Sequence, residues 1–155
     1  MKSGRPVGLT ALSLLAFLTL TACNAGVVSP GVSPELKHSW EVCFNKGDVD
    51  GVVRLYSPDA ELVMSGSAPI RGRAAIRATV EAMIRSGVKV RIGANQNIGS
   101  GDLAYVYGHY SVLDRDGAKS VEEGDYIELW RRRDGAWRID LDVNSVGPAA
   151  SPVIR

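Results

Sequence analysis

The side chains best equipped for chemistry lie in the last third of the sequence. Residues 137–144 alternate, with Trp137, Ile139, Leu141 and Val143 on one side and Arg138, Asp140, Asp142 and Asn144 on the other. A strand of that pattern puts two carboxylates on a single face. Asp125, Tyr126 and Glu128 belong to a preceding run of strand character, joined to the last strand through Asp134-Gly135. If that turn closes with a glycine bulge, Tyr126 and Glu128 stand beside Asp142 and Asp140. A two-residue turn brings Asp125 and Ile127 there instead, because one residue of slip exchanges the faces. Adjacent carboxyl groups taken out of water raise each other's pKa, and can then move protons or accept hydrogen bonds from a hydroxylated ligand. On a solvated face the same residues do neither, and the alternation leaves both readings open.

Only two histidines are present. His109 lies in a strand-like run among Tyr105, Tyr107 and Tyr110, directly after Gly108, where the missing side chain marks a bulge or a close approach. It is either an acid/base partner for Asp142 or Asp125 or a satisfied sheet histidine. His38, next to Ser39 on a helical stretch, is expected at the surface. No His/Cys/Asp set has metal-ligand spacing, and no phosphate loop, dinucleotide fingerprint or Gly-x-Ser-x-Gly occurs, so neither metal nor cofactor is expected. With 18 Lys+Arg against 17 Asp+Glu, nucleic acid is not an expected partner. The run Arg131-Arg132-Arg133 reads as a solvated turn flank or as a rest for anionic lipid headgroups.

These residues are positioned by a helical first half and a stranded second half. Ser33-Pro34-Glu35 is a helix start, with Leu36, Trp40, Cys43 and Phe44 at helical spacing up to Lys46 and Gly47 as the stop. Asp48 caps a second helix carrying Val49, Val52, Val53 and Tyr56, ended by Ser57-Pro58-Asp59. Residues 60–65 form a first short strand. Residues 73–86 form the clearest helix, with Ile76, Val80, Met83 and Ile84 as its apolar stripe and Arg77, Glu81 and Arg85 opposite. Strands follow from Val88, from Leu103 to Val112, from Val121 to Arg132 and from Trp137 to Ser145. In the second of these Tyr105, Tyr107 and His109 share one face, and Ala104, Val106 and Tyr110 the other. One short strand among helices, then a four-stranded antiparallel meander, predicts an α+β two-layer domain.

The first residues differ from the rest. Lys2 and Arg5 precede an uncharged stretch, Val7 to Leu20, too short to span a bilayer comfortably. Leu20-Thr21-Ala22-Cys23 then resembles a bacterial lipobox, which implies cleavage before Cys23 and acylation of that residue. The expected organisation is a signal peptide over 1–22, a tether over 23–33, a domain over 34–147 and a loose tail over 148–155. The expected location is the extracytoplasmic side of a bacterial membrane, anchored by lipid on Cys23. Cys43, between Val42 and Phe44, is then left as a core residue without a disulfide partner.

Several stretches resemble the nuclear transport factor 2-like, or cystatin-like, superfamily. They are Phe44-Asn45-Lys46-Gly47-Asp48, Tyr56-Ser57-Pro58-Asp59-Ala60, Ile70-Arg71-Gly72-Arg73-Ala74-Ala75-Ile76, Gly124-Asp125-Tyr126 through Trp130, and Asp134-Gly135-Ala136-Trp137-Arg138-Ile139. The resemblance implies a cone of three N-terminal helices packed on a curved, mainly antiparallel sheet, and is nearest the SnoaL-like and ketosteroid-isomerase-like small domains. The last hairpin also resembles the association domain of calcium/calmodulin-dependent kinase, an oligomerisation module. In the isomerases a carboxylate base works with two hydrogen-bond donors. Here the tyrosine donor position falls on Trp40, the base on Met64 and the second donor near Asp125. A thioether takes no proton at neutral pH, so that mechanism is not expected. The resemblance instead implies a homodimer paired through its sheets, and a pocket for a small, largely apolar ligand or peptide lined by Trp40, Tyr56, Met64, Tyr107, His109, Tyr126 and Asp142. The alternatives are an isomerase- or cyclase-type enzyme using Asp142 or Asp125 with His109, and a dimeric interaction module of the cell envelope.

Overall fold

In the computed structural model, which describes residues 28–147, Ser33 and Gly47 bound the first helix, α1 (Pro34–Lys46). Ser33 accepts a hydrogen bond from the Leu36 amide, Pro34 occupies the first turn, and Gly47 closes the helix at φ 77°. Asp48 then caps α2 (Val49–Arg54) through the Gly51 amide at 2.8 Å. Tyr56, expected on that helix, instead opens β2 (Tyr56–Met64), because the helix ends at Arg54. The short β3 (Ile70–Arg71) leads into α3 (Arg73–Ser86), which buries Ile76 and Val80 and packs Met83 and Ile84 against the core. Four long strands follow: β4 (Lys89–Ser100), β5 (Leu103–Leu113), β6 (Ser120–Arg133) and β7 (Ala136–Val146).

The sheet has seven strands in the order β1-β4-β5-β6-β7-β2-β3, and β2 runs parallel to β7 while the other neighbours are antiparallel. β1 (Val28–Pro30) pairs with residues 98–100 of β4, and Val32 is buried. The stretch 28–32, expected to be part of a tether over 23–33, therefore belongs to the fold. The expected leader over 1–22, Cys23 with its expected lipid, and the expected tail over 148–155 lie outside the described residues. Side chains engage the start of the β4 edge, where Asn45 exchanges two hydrogen bonds with the Val90 backbone and Glu41 accepts from the Ile92 amide, and Asn97 exchanges two with the Val32 backbone beyond β1. Backbone groups so engaged are not offered to another chain.

β6 and β7 meet in a way that neither reading of the turn anticipated. Asp134 and Gly135 have φ of 51° and 77°, and Arg133 pairs with Ala136, so the turn is a two-residue one of the primed type. Trp130 accordingly faces Ile139. Leu129, however, faces Leu141, and Asp140 is left as an extra residue on β7. This bulge moves the slip from the turn to mid-strand, so that Glu128 pairs with Asp142 and Tyr126 with Asn144. The alternation read over residues 137–144 is thereby split. Ile139 is fully buried on the inner face, as is Asp142 (5% exposed), while Leu141 and Val143 pair with the outward Leu129 and Ile127. Asp140 is drawn away by Arg131 at 2.6 Å and Arg133 at 3.3 Å. Arg132 pairs with Asp102 at 2.8 Å and lies over the Trp137 ring. All three arginines thus have partners within the domain, while Arg132 and Arg133 stay exposed, as a solvated turn flank would.

Cross-strand pairs of glycine and tyrosine shape the inner face. Gly108 faces Tyr126, and Gly124 faces Tyr110. A Cβ at Gly108 would stand 2.0 Å from the Gly93 carbonyl oxygen and 2.8 Å from the Tyr126 ring. Close approach explains this glycine, as the sequence allowed. Gly108→Ala is expected to cost about 1–3 kcal/mol by overpacking, read as a lower urea midpoint; an unchanged midpoint would show that the Gly93 backbone and the Tyr126 ring both yield without cost.

A candidate ligand cavity with a buried carboxyl pair

Between α1, α3 and the inner face of the sheet lies a cavity of about 80 Å³. Trp40 reaches it from α1, Val80 and Met83 from α3, and Tyr56, Leu62 and Met64 from β2. The meander contributes Val90, Ile92, Tyr110, Val112, Glu122, Tyr126, Glu128, Asp142 and Asn144. Helical spacing turns Trp40 and Phe44 to the same side, and their rings stack with centroids 5.0 Å apart. The walls are therefore mostly apolar, with the polar groups gathered where β6, β7 and β2 adjoin.

At that junction the Tyr56 hydroxyl donates to Asp142 Oδ2 at 2.6 Å and accepts from Trp40 Nε1 at 3.0 Å. Asn144 Nδ2 donates to Asp142 Oδ1 at 2.9 Å. Both oxygens of Asp142 are thus engaged by neutral donors. Glu128, 8% exposed, accepts from Trp130 Nε1 at 2.7 Å through Oε2. Its Oε1 has no partner among the described residues and is not sealed in protein.

Burial raises both carboxyl groups, since a charge is poorly solvated there. Asp142 is raised to about 6, with the Tyr56 and Asn144 hydrogen bonds holding it down. Glu128 goes to about 8 through burial and then the neighbouring Asp142 charge, opposed by Trp130 and by the more distant Lys37. Near neutrality the pair carries about one proton between its two carboxyl groups. Tyr56 is pushed well above the usual phenol range by burial and by Asp142, so it remains a hydroxyl donor.

Of the residues expected to line a pocket, Trp40, Tyr56, Met64, Tyr126 and Asp142 do so, while Tyr107 and His109 do not. Both lie on the opposite parity of β5 from Ala104 and Val106, which are buried, and therefore on the outer face. His109 Nδ1 lies 2.7 Å from Asp125 Oδ1 with both side chains half exposed. The expected partnership of His109 with Asp125 exists, but it faces away from the cavity, and Asp142 has no histidine beside it. His38 is exposed, 3.8 Å from Glu41. Cys43 is half-buried rather than enclosed, packed against the core. Glu122 and Tyr110, linked at 3.0 Å at the cavity wall, went unselected in the sequence. The alternation Glu122-Gly124-Tyr126-Glu128-Trp130 is the signal that points to them. Among the described residues no group of three His, Cys, Asp or Glu side chains is placed to hold a metal ion.

The raised pair makes stability depend on pH. A carboxyl group whose pKa is higher folded than unfolded binds more protons in the native state, so stability is lost as pH rises from the unfolded pKa, near 4, to the folded one. Wild-type stability should therefore fall between pH 5 and 8.5. Glu128→Gln retains an acceptor for Trp130 and should flatten that fall, gaining roughly 2–4 kcal/mol at pH 8.5 relative to pH 5. Parallel urea midpoints for the two proteins across this range would refute the raised pair.

The sequence profile of the SnoaL-like domain matches residues 37–139. A comparison with curated proteins finds no match. Among solved structures, a nuclear transport factor 2-like protein with a cystatin-like fold from Novosphingobium aromaticivorans is 25% identical. It superposes at a TM-score of 0.66, over 76% of this chain and 80% of that one. A ketosteroid isomerase-like protein from Erwinia carotovora is 16% identical, with a TM-score of 0.62 over 74% and 93%. A putative calcium/calmodulin-dependent protein kinase type II association domain from Thiobacillus denitrificans is 18% identical, with a TM-score of 0.65 over 77% and 99%. The latter two are similar in fold alone. The profile match spans most of the chain, from within α1 to Ile139 of β7, and ends before Asp142 and Asn144; the chain belongs to the SnoaL-like domain family, on a nuclear transport factor 2-like fold.

Proposed function

We propose that this domain binds a small, largely apolar molecule in the cavity, with the Glu128–Asp142 pair as its polar anchor. The observation that carries the reading is Glu128 Oε1, an uncommitted oxygen on a carboxyl group only 8% exposed, at the wall of a mostly apolar cavity. That oxygen opens onto the cavity, where a ligand can supply its hydrogen-bond partner.

A second reading is an enzyme of isomerase, cyclase or dehydratase type. It is favoured by the two carboxyl groups being raised into the range where one group can take and give a proton at neutral pH. Met64 at the position of the isomerase base argues against the steroid-isomerase mechanism. Organic extraction of the purified protein, analysed by mass spectrometry, should recover a small molecule that Met64→Trp excludes. Equal recovery from both proteins, or none from either, would remove the binding reading. Turnover of a candidate substrate that Glu128→Gln abolishes without loss of binding would establish the enzyme instead.

The proposed location is the extracytoplasmic side of a bacterial membrane, held by lipid on Cys23. Its support is the basic and apolar leader ending in Leu20-Thr21-Ala22-Cys23. With β1 starting at Val28, five residue steps reach at most about 17 Å, so the β1–β4 edge would stand close to the lipid. Homodimerisation through the outer sheet face is proposed on the exposure of Ile98, Tyr105 and Ile127, the first two paired across β4 and β5. Cys23→Ala should move the protein from the membrane to the soluble fraction, where light scattering at micromolar concentration should give a dimer. Retention in the membrane would refute the lipid anchor, and a monomer would refute the interface.

A further inference from the structure

We propose that the occupant of the cavity is a small apolar amine, held as its ammonium ion between Glu128 and Asp142 and against the rings of Trp40, Tyr110 and Tyr126. This rests on the binding reading above and gives it a ligand class.

Three carboxyl-bearing residues, Glu122, Glu128 and Asp142, line the cavity, and no lysine, arginine or histidine does. The basic side chain that bears on Glu128, Lys37, lines a neighbouring depression with Pro34 and His38. Asp142 is held by neutral donors alone, Tyr56 and Asn144, which stabilise its anion without cancelling the charge. The remaining requirement of the site is thus a positive charge, and Glu128 Oε1 is the acceptor left open for it. A neutral ligand meets that requirement less well. A hydroxyl satisfies the oxygen and leaves the charge unpaired, and a second carboxylate adds to the repulsion. The aromatic walls suit the same ion, since ring faces attract cations.

Size limits the ligand further. A cavity of 150 Å³ accommodates the six heavy atoms of benzene, so about 80 Å³ accepts roughly three or four. The proton balance is explicit. The pair enters with about one proton shared between its carboxyl groups, and binding an ammonium ion favours the doubly ionised pair, so about one proton leaves to solvent. Affinity for the ammonium form must therefore rise with pH through the range in which the pair titrates. The other titratable groups at the cavity, Tyr56, Tyr110 and Tyr126, keep their protons there, and Glu122 is exposed on the rim.

The test uses the full chain with n-propylamine and its neutral isostere propan-1-ol, followed at the Trp40 indole N–H resonance at pH 6 and pH 8. The amine should bind at least about tenfold more tightly than the alcohol at pH 8. That advantage should be lost at pH 6, since one proton released per ammonium bound is worth about a hundredfold in affinity over two pH units, and it should vanish in Glu128→Gln, which keeps the Trp130 hydrogen bond. Asp142→Asn should reduce it as well. Equal binding of amine and alcohol, or an amine advantage that survives both substitutions, overturns the amine assignment. It leaves the cavity reading standing if Met64→Trp blocks both probes. Failure of both probes to bind wild-type protein overturns the two readings together.

Discussion

The arrangement of the site depends on one extra residue in β7. Without it, the two-residue turn at Asp134-Gly135 would carry its register along the whole hairpin, and Asp142 would face Ile127 instead of Glu128. With Asp140 bulged out, Ile139 can fill the core beside Trp130 while Asp142 and Asn144, further along the strand, also point inward. Arg131 and Arg133 hold the bulged carboxylate on the other side. The bulge therefore separates two acids that are neighbours in the alternation. Asp140 becomes half of a surface ion-pair group, and Asp142 becomes a buried group whose ionisation is coupled to that of Glu128.

Burying two carboxyl groups side by side is unfavourable unless donors surround them. The donors come from elements far apart in the chain. Trp40 on α1 orients the Tyr56 hydroxyl, Tyr56 at the head of β2 reaches Asp142, and Trp130 serves Glu128 from two residues away on the same face. β2 arrives beside β7 in parallel, so Leu62 pairs with Asp142 and Met64 with Asn144, which brings an apolar wall against the polar junction. What is left uncommitted is a single carboxyl oxygen and the charge of the pair. From the end of β2 a thioether, Met64, faces the cavity, while the acids sit on β6 and β7.

The two faces of the sheet have different roles. Tyr110 and Tyr126 lie across Gly124 and Gly108 on the inner face, where the missing side chains make room for their rings. Tyr105, Ile127 and the His109–Asp125 pair stand on the outer one. The same fold carries a ketosteroid isomerase-like protein and a putative kinase association domain among its solved relatives. Function on such a scaffold is decided by which face is occupied and by what.

Local sequence determined a good deal here. Ser33-Pro34, Gly47, Asp48 and Gly87 act within a few residues of themselves, so the ends of α1 and α3, the cap of α2 and the Asp134-Gly135 turn were legible from residue types alone. The α+β order and the division of β5 into two faces came from periodicity, but not which face is inward: Tyr107 and His109 were expected in the pocket, whereas Ala104, Val106 and Tyr110 face inward. The family resemblance pointed to Trp40, Tyr56, Met64, Tyr126 and Asp142 as pocket residues, and these do line the cavity. Tertiary structure alone decided which acids meet, why His109 is outside, and that residues 28–32 belong to the sheet edge. A period of two defines faces only up to a slip of one residue, and the residue that takes up the slip is an aspartate without the glycine or proline that would mark it. Its position is set by contacts across strands, between Asp140 and the arginines of β6 and between Ile139 and Trp130, and such contacts exist only once the chain has folded.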